Sequence, residues 1–201
     1  MIDVRQVSAC LITKDAVYPR EILQHVAGIG FAEMMVLANC DSPHRKQELF
    51  AKARHELIYY QDDDCIAPIR DLLEQSIPGT INCAMKERHL REYAHSRIAL
   101  MGWGSIFPKE TIHVLERYRA VYGEDAVYRR ETERIMTWFA YPQRRLALPI
   151  TDLPSATAPD RLSMAPGHYS YIRIVEARCR RIQDELEGTS VLNPDVPSSR
   201  D

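Results

Sequence analysis

Three short apolar runs near the N-terminus alternate with two amphipathic segments, and this alternation constrains the fold more than any other feature. The runs at 7–13, 34–39 and 57–61 have the length and the polar boundaries of buried strands. The first intervening segment carries Ile22 and Val26 four residues apart, which is the spacing of one helical face. Strands that alternate with helices in this way predict parallel strands joined by right-handed crossovers. We therefore expect an α/β fold with a mixed, mostly parallel sheet flanked by helices.

The rest of the chain continues the alternation less regularly. Further strands are predicted at 80–85, within 98–107 and at 146–150, and further helices at 66–75, 109–122, 128–139 and after His168. The segment 149–167 contains four prolines and no helical period, so it predicts a long loop. Residues 188–201 have the composition of a disordered tail. We expect one domain over residues 1–187.

Composition excludes several classes of protein. No run of about 18 apolar residues is present, so no transmembrane helix is predicted, and the N-terminus lacks the pattern of a secretory signal. The five cysteines are widely scattered and form no C-x-x-C pair, which predicts buried free thiols in a cytoplasmic protein. Neither a G-x-G-x-x-G nor a G-x-x-x-x-G-K-S/T motif occurs, so the sequence lacks a dinucleotide fingerprint and a P-loop.

A run of three acids, Asp62, Asp63 and Asp64, directly follows the third predicted strand. Adjacent carboxylates repel one another and are costly to desolvate at the end of a buried strand, so a cation is expected beside them. Carboxylate oxygens suit a hard divalent cation. Strand alternation sends Asp62 and Asp64 to one side and Asp63 to the other. The alternative is that the run is a solvated loop or a group of helix caps.

The position of the acid run in the predicted sheet favours a site. In open parallel sheets, ligands bind beyond the carboxyl ends of the strands. Lys14 follows the first strand and Asp41 follows the second, so their side chains are expected near the acid run at one edge. Later features are Trp103 between two glycines, an acidic stretch at the start of a helix, and His168 after the long loop.

The order of these features resembles that of GT-A-fold glycosyltransferases, particularly family-2-like members, over about residues 7–182. The most specific motif is Gln61-Asp62-Asp63-Asp64. The resemblance implies a single GT-A (Rossmann-like) domain, with a nucleotide-sugar-binding half at 1–85 and an acceptor or catalytic half at 86–187. It also implies a hexosyl- or pentosyltransferase that uses Mn²⁺ or Mg²⁺ to move a sugar from a nucleoside diphosphate sugar to an acceptor hydroxyl, with inversion.

The resemblance also implies residue roles. A metal site would contain Asp62, Asp64 and His168. The nucleotide sugar would contact Thr13, Lys14, Asp41, Asp62, Asp63, Trp103 and Gly104. Glu131 and Glu133 both qualify as the general base, because both lie near the start of the predicted helix 128–139. This chain has Glu-Thr-Glu where the family has Glu-Asp or Asp-Asp, so the resemblance does not choose between them.

Two other functions fit a similar scaffold. A nucleotidyltransferase would use the same acids, but it needs a glycine-rich basic loop after the first strand, and residues 13–20 contain no glycine. A non-catalytic nucleotide- or sugar-binding module would need neither glutamate.

The sequence does not indicate the chemical identity of the acceptor. A polysaccharide or a hydroxylated base of viral DNA is a hypothesis to which clustered arginines lend some support and the net charge of −2 lends none.

Overall fold

A six-stranded sheet forms the centre of the protein, whose computed structural model describes residues 2–40, 42–154 and 168–191. The strands of the described residues are β1 (Val7–Ile12), β2 (Glu33–Leu37), β3 (Leu57–Gln61), β4 (Cys65–Ile66), β5 (Asn82–Met85), β6 (Ser105–Pro108), β7 (Arg144–Ala147) and β8 (Thr151–Asp152). The α-helices are α1 (Arg20–Ala27), α2 (Lys46–Lys52), α3 (Ile69–Gln75), α4 (Glu87–Glu92), α5 (Glu116–Tyr122), α6 (Ala126–Phe139) and α7 (His168–Val191). Short 3₁₀ helices cover Val4–Gln6, Pro43–Arg45 and Lys109–Leu115. This architecture confirms the predicted α/β class.

The strand order of the large sheet is β2-β1-β3-β6-β5-β7. Strands β2, β1 and β3 are mutually parallel, β5 and β7 are parallel to each other, and β6 runs antiparallel to both β3 and β5. The sheet is therefore mixed and mostly parallel, as the sequence predicts. Strands β1, β2, β3, β5 and β7 all end at one edge of the sheet, where β6 begins. We call it the carboxyl edge. The strands β4 and β8 form a separate antiparallel pair.

Both faces of the sheet are covered by helices. Successive side chains of β3 point to opposite faces, so that Tyr59 stacks on Phe31 and Tyr60 packs edge-on against Phe50, with ring centroids 5.1 and 5.3 Å apart. Helices α1 and α3 supply the apolar side chains of the first face, and α2, α6 and α7 supply those of the second. Burial on both faces explains why the strands are continuous apolar runs in the sequence.

The sequence prediction was wrong in the segment 98–107. The strand β6 begins only at Ser105, and the preceding residues form a loop. Gly104 has a φ of +106°, which side-chain-bearing residues rarely adopt, and this backbone turns the chain into β6. The predicted helix 109–122 begins with a 3₁₀ segment at Lys109–Leu115 before continuing as α5.

The C-terminal part of the chain differs from the prediction at two places. The short strand β8 lies inside 149–167, where the sequence predicted only a loop, because it pairs with β4. Helix α7 continues through 188–191, which was predicted to be tail. Residues 155–167 and 192–201 lie outside the described residues.

All five cysteines are buried free thiols, as the sequence predicts. Burial raises the pKa of Cys10 to about 12, so this thiol is uncharged at neutral pH.

Among the described residues, no helix is long and apolar enough to cross a membrane.

Candidate functional site

Asp63 ties the end of β3 to the end of β1. It is buried and accepts a hydrogen bond from Thr13 Oγ1. The same Thr13 oxygen accepts a hydrogen bond from the backbone N–H of Asp15 at 3.0 Å, and the Thr13 carbonyl accepts one from Cys40 N–H at 3.0 Å. The residues that follow β1, β2 and β3 are thereby joined at the carboxyl edge. Lys14 is half-buried beside Thr13, whereas Asp41 lies outside the described residues.

Asp62 belongs to a different cluster, as strand alternation predicts. The Lys46 Nζ atom lies 3.1 Å from Asp62 Oδ1 and also contacts Tyr60 Oη and Glu133 Oε1. The Tyr60 hydroxyl lies 2.8 Å from Glu133 Oε1 and also hydrogen-bonds to Asp62 Oδ1. We call these four residues the Lys46 network. It joins the start of α2, strand β3, the acid run and helix α6 around one buried ammonium group.

The charges of the Lys46 network are fixed by its surroundings. Burial alone lowers the pKa of Lys46, but the carboxylates of Asp62 and Glu133 outweigh it and raise that pKa above its ordinary value. Burial, and then the same two carboxylates, raise the pKa of Tyr60 well above 10.0. At neutral pH the network therefore holds a charged ammonium and a neutral phenol. The Lys46 side chain is only 10% exposed, so solvent screens its contacts poorly.

The two candidate bases on α6 have different environments. Glu133 belongs to the Lys46 network, whereas the side chain of Glu131 is fully buried and paired with Arg134, with Arg130 Nε at 3.5 Å. Burial raises the pKa of Glu131, and the Arg134 charge opposes that shift. Residues two apart on a helix do not face the same way, and the backbone at Glu131 (φ −116°, ψ 23°) also interrupts the helix. The structure thus brings Glu133, and not Glu131, to the acid run.

The glycines on either side of Trp103 lie in close contact with their neighbours. The backbone N–H of Asp62 donates to Gly102 O at 2.8 Å, and a Cβ atom at Gly102 would lie 2.1 Å from Asp62 Oδ2. A Cβ atom at Gly104 would lie 2.8 Å from Cβ of Ala67. The loop that carries Trp103 therefore lies directly against the acid run.

Trp103 is half-buried and contacts Lys86 and His89. Lys86 Nζ lies 5.0 Å from the centroid of the indole ring, and the His89 ring packs edge-on at 4.5 Å. Lys86, which directly follows β5, also forms an ion pair with Asp152 on β8. The indole is therefore held in place beside the carboxyl edge.

Asp64 is fixed through its backbone. Its carbonyl accepts a hydrogen bond from Leu153 N–H at 2.8 Å, directly after β8. The next residue, Cys65, pairs with Asp152. The β4–β8 pair therefore sets the position of Asp64 relative to Lys86 and Trp103.

A divalent cation fits the donor chemistry of this region. Asp62 and Asp64 offer only oxygen atoms, the donors that Mg²⁺ and Mn²⁺ prefer. The Lys46 ammonium group lies against Asp62 Oδ1, so a cation at Asp62 would share that carboxylate with it. Within 2–40, 42–154 and 168–191, no group of three or more His, Cys, Asp or Glu residues is arranged to hold a metal. His168 is the first residue of α7, and its side chain is outside the described part of the structure.

The sequence did not predict three residues of the candidate site, which are Lys46, Tyr60 and Lys86. Tyr60 could have been found, because strand alternation places it on the same side as Asp62. Lys46 and Lys86 are single lysines in polar segments and carry no distinguishing pattern.

No protein-family model matches the chain, and no curated protein matches it either.

Proposed function

We propose that this protein is a metal-dependent glycosyltransferase that moves a sugar from a nucleoside diphosphate sugar to an acceptor hydroxyl. The observation that carries the proposal is the proximity of Glu133 to Asp62. A helix carboxylate from the second half of the chain meets the strand-end acids of the first half, at the carboxyl edge where open sheets bind ligands. A donor held by the acids and an acceptor beside Glu133 would meet at this point.

The donor would lie along the carboxyl edge, contacting Lys14, Asp62 and Asp64, whereas Thr13 is buried and its hydroxyl is bonded to Asp63. Asp64, with Asp62, would hold Mn²⁺ or Mg²⁺, and the bound cation would neutralise charge on the departing nucleoside diphosphate. Asp63 acts indirectly, because its carboxylate is already engaged by Thr13. Its role is to keep the ends of β1 and β3 together.

Glu133 is the proposed general base. The Lys46 and Tyr60 contacts both fall on Oε1, and the carboxylate has a second oxygen, Oε2, for the acceptor hydroxyl. Removal of the hydroxyl proton as the acceptor oxygen attacks the anomeric carbon gives the inverted product. The Trp103 indole offers an aromatic surface beside the acids for a sugar ring.

Turnover of a panel of nucleotide sugars tests this function. We expect the wild-type protein to hydrolyse or transfer at least one donor with Mn²⁺, and to lose that turnover in EDTA. Asp64→Asn should reduce it by about a hundredfold, since loss of a bound cation removes about 3 kcal/mol of transition-state stabilisation. Asp71→Asn is the matched control, because Asp71 is an exposed acid on α3.

Two companion measurements, one with nucleoside triphosphates and one of nucleotide-sugar binding, would identify the alternatives. Metal-dependent release of diphosphate from nucleoside triphosphates, without turnover of any nucleotide sugar, would indicate a nucleotidyltransferase. Binding of a nucleotide sugar without turnover would indicate a binding module.

A further inference from the structure

Lys46 connects parts of the chain that are distant in sequence. It is 16 residues from Asp62 and 87 residues from Glu133, yet its Nζ atom contacts a carboxylate oxygen of each. It also contacts the hydroxyl of Tyr60, which is fully buried. Three acceptors from β3, the acid run and α6 thus share one ammonium group, which has three protons to donate.

The two carboxylates need this ammonium group to remain together. Two negative charges in one partly buried place repel each other, and each favours a position closer to solvent. The Tyr60 hydroxyl has a single proton and can donate to only one of them at a time. Lys46 is therefore the group that offsets the repulsion between Asp62 and Glu133.

We infer that Lys46 is a positioning residue that holds Glu133 against Asp62, so that the base and the donor-binding acid face the same reacting centre. Its catalytic consequence rests on the proposed function, whereas the holding contact itself does not. Lys46 acts on the reaction only through Glu133 and Asp62. Two carboxylates and a hydroxyl occupy its ammonium group, so it does not bind the donor diphosphate.

Kinetics of Lys46 variants test the catalytic consequence. Lys46→Met should lower kcat by about ten- to a hundredfold, with the donor KM within about twofold of wild type, because it removes an interaction that orients the base. Lys46→Arg should restore part of kcat, since it keeps the charge. Lys52→Met is the matched control, because Lys52 is an exposed lysine at the end of the same helix. It should leave both constants unchanged.

The same substitution in a Glu133→Gln background separates positioning from other roles. If Lys46 acts through Glu133, Lys46→Met should cause little further loss of kcat there. An equal loss in both backgrounds would overturn the inference. A raised donor KM with unchanged kcat would also overturn it, because it would show direct contact with the donor.

Thermal unfolding tests the holding contact without any assay of activity. The fall in Tm of the double variant Lys46→Met/Glu133→Gln should be smaller than the sum of the falls in the two single variants, because the residues interact directly. Additive falls would contradict the contact. If Lys46→Met alone fails to fold and the double variant folds, the same coupling is shown. If neither folds, Lys46→Gln, which keeps a hydrogen-bond donor at this position, replaces Lys46→Met in the cycle, with the same expected coupling to Glu133→Gln.

The two sets of results keep the inference and the proposed function apart. A wild-type protein without turnover of any donor contradicts the proposed function, while the unfolding cycle still decides whether Lys46 holds Glu133. An active wild type with additive effects of the two substitutions contradicts the inference alone.

Discussion

Glu131 and Glu133 lie two positions apart on α6 and carry the same functional group, yet their carboxylates contact different residues. Glu131 has no exposed side-chain surface and pairs with Arg134, whereas Glu133 reaches the Lys46 network. We expect Glu131→Gln to leave Arg134 buried without its counter-charge and to lower the free energy of unfolding by about 3 kcal/mol or more. Urea denaturation measures this loss. A stability equal to that of wild type would show that the buried pair contributes nothing.

Gly102 gives a prediction about the position of Asp62. A methyl group there would lie 2.1 Å from Asp62 Oδ2, so Gly102→Ala forces that carboxylate out of its present position. We expect kcat/KM to fall at least about tenfold, which corresponds to about 1.4 kcal/mol of transition-state stabilisation. Gly188→Ala is the control, since nothing lies within 4 Å of a Cβ atom there. Unchanged kinetics in Gly102→Ala would argue against any role of Asp62 in turnover.

His89 predicts a pH dependence of stability. Burial lowers its pKa below the ordinary value of 6.5, and the charges of Arg88 and Lys86 act in the same direction. A lowered pKa in the folded state means that the unfolded chain binds the proton more readily. The stability contributed by neutral His89 is therefore present above pH 6.5 and is lost as the pH falls through the pKa of the folded state.

The test is the difference in Tm between pH 7.5 and pH 5.5. This difference should be smaller in His89→Gln than in the wild type. An identical difference in the two proteins would show that His89 does not titrate across this range.

At the scale of elements, Asp125 joins the start of α6, the helix that carries Glu133, to α7. Asp125 caps the helix by accepting a hydrogen bond from Tyr128 N–H at 2.9 Å, and its other oxygen pairs with Arg178 of α7. Asp125→Ala should lower the free energy of unfolding by about 1 kcal/mol for the cap, and by somewhat more through the lost ion pair. Asp125→Asn keeps the cap and should lose less. Equal losses in the two variants, measured by urea denaturation, would assign the whole effect to the Arg178 contact.

The elements differ in how well the sequence predicts them. The strands β1 and β3 are predicted to within one residue, because burial on both faces makes them continuous apolar runs. The segment 98–107 is equally apolar, but its first part is a loop packed against the acid run. A run of apolar residues indicates that a segment is buried, but it does not indicate the backbone conformation. The sequence therefore did not distinguish this loop from a strand.

The positions of the candidate site residues in the fold were predicted in part, for a related reason. The acid run and its place at the carboxyl edge follow from local sequence and from the parallel order of the strands. Lys46 could not be found, because its importance comes from contacts 16 and 87 residues away along the chain. The choice between Glu131 and Glu133 also depends on tertiary structure, since it is decided by which glutamate meets Arg134 and which meets Lys46.

At the scale of the whole molecule, several of the clustered arginines serve the fold itself. Arg134 pairs with Glu131, Arg178 pairs with Asp125, and Arg145 donates to the Tyr93 carbonyl at 2.5 Å. These contacts reduce the number of arginines that could form an anion-binding surface. They give no support to DNA as the acceptor, and they leave polysaccharides and other hydroxyl compounds as equal candidates.

Under the proposed function, two halves of one chain meet at the carboxyl edge, where the first would supply the donor site and the second would supply the base. The most direct test measures Mn²⁺-dependent sugar transfer and donor affinity for the wild type and Glu133→Gln side by side. We predict that Glu133→Gln loses about 10²- to 10⁴-fold in kcat, while its donor Kd stays within about twofold of wild type. A Glu133→Gln variant with the kcat of wild type, or a wild type without Mn²⁺-dependent transfer from any donor, would contradict the account.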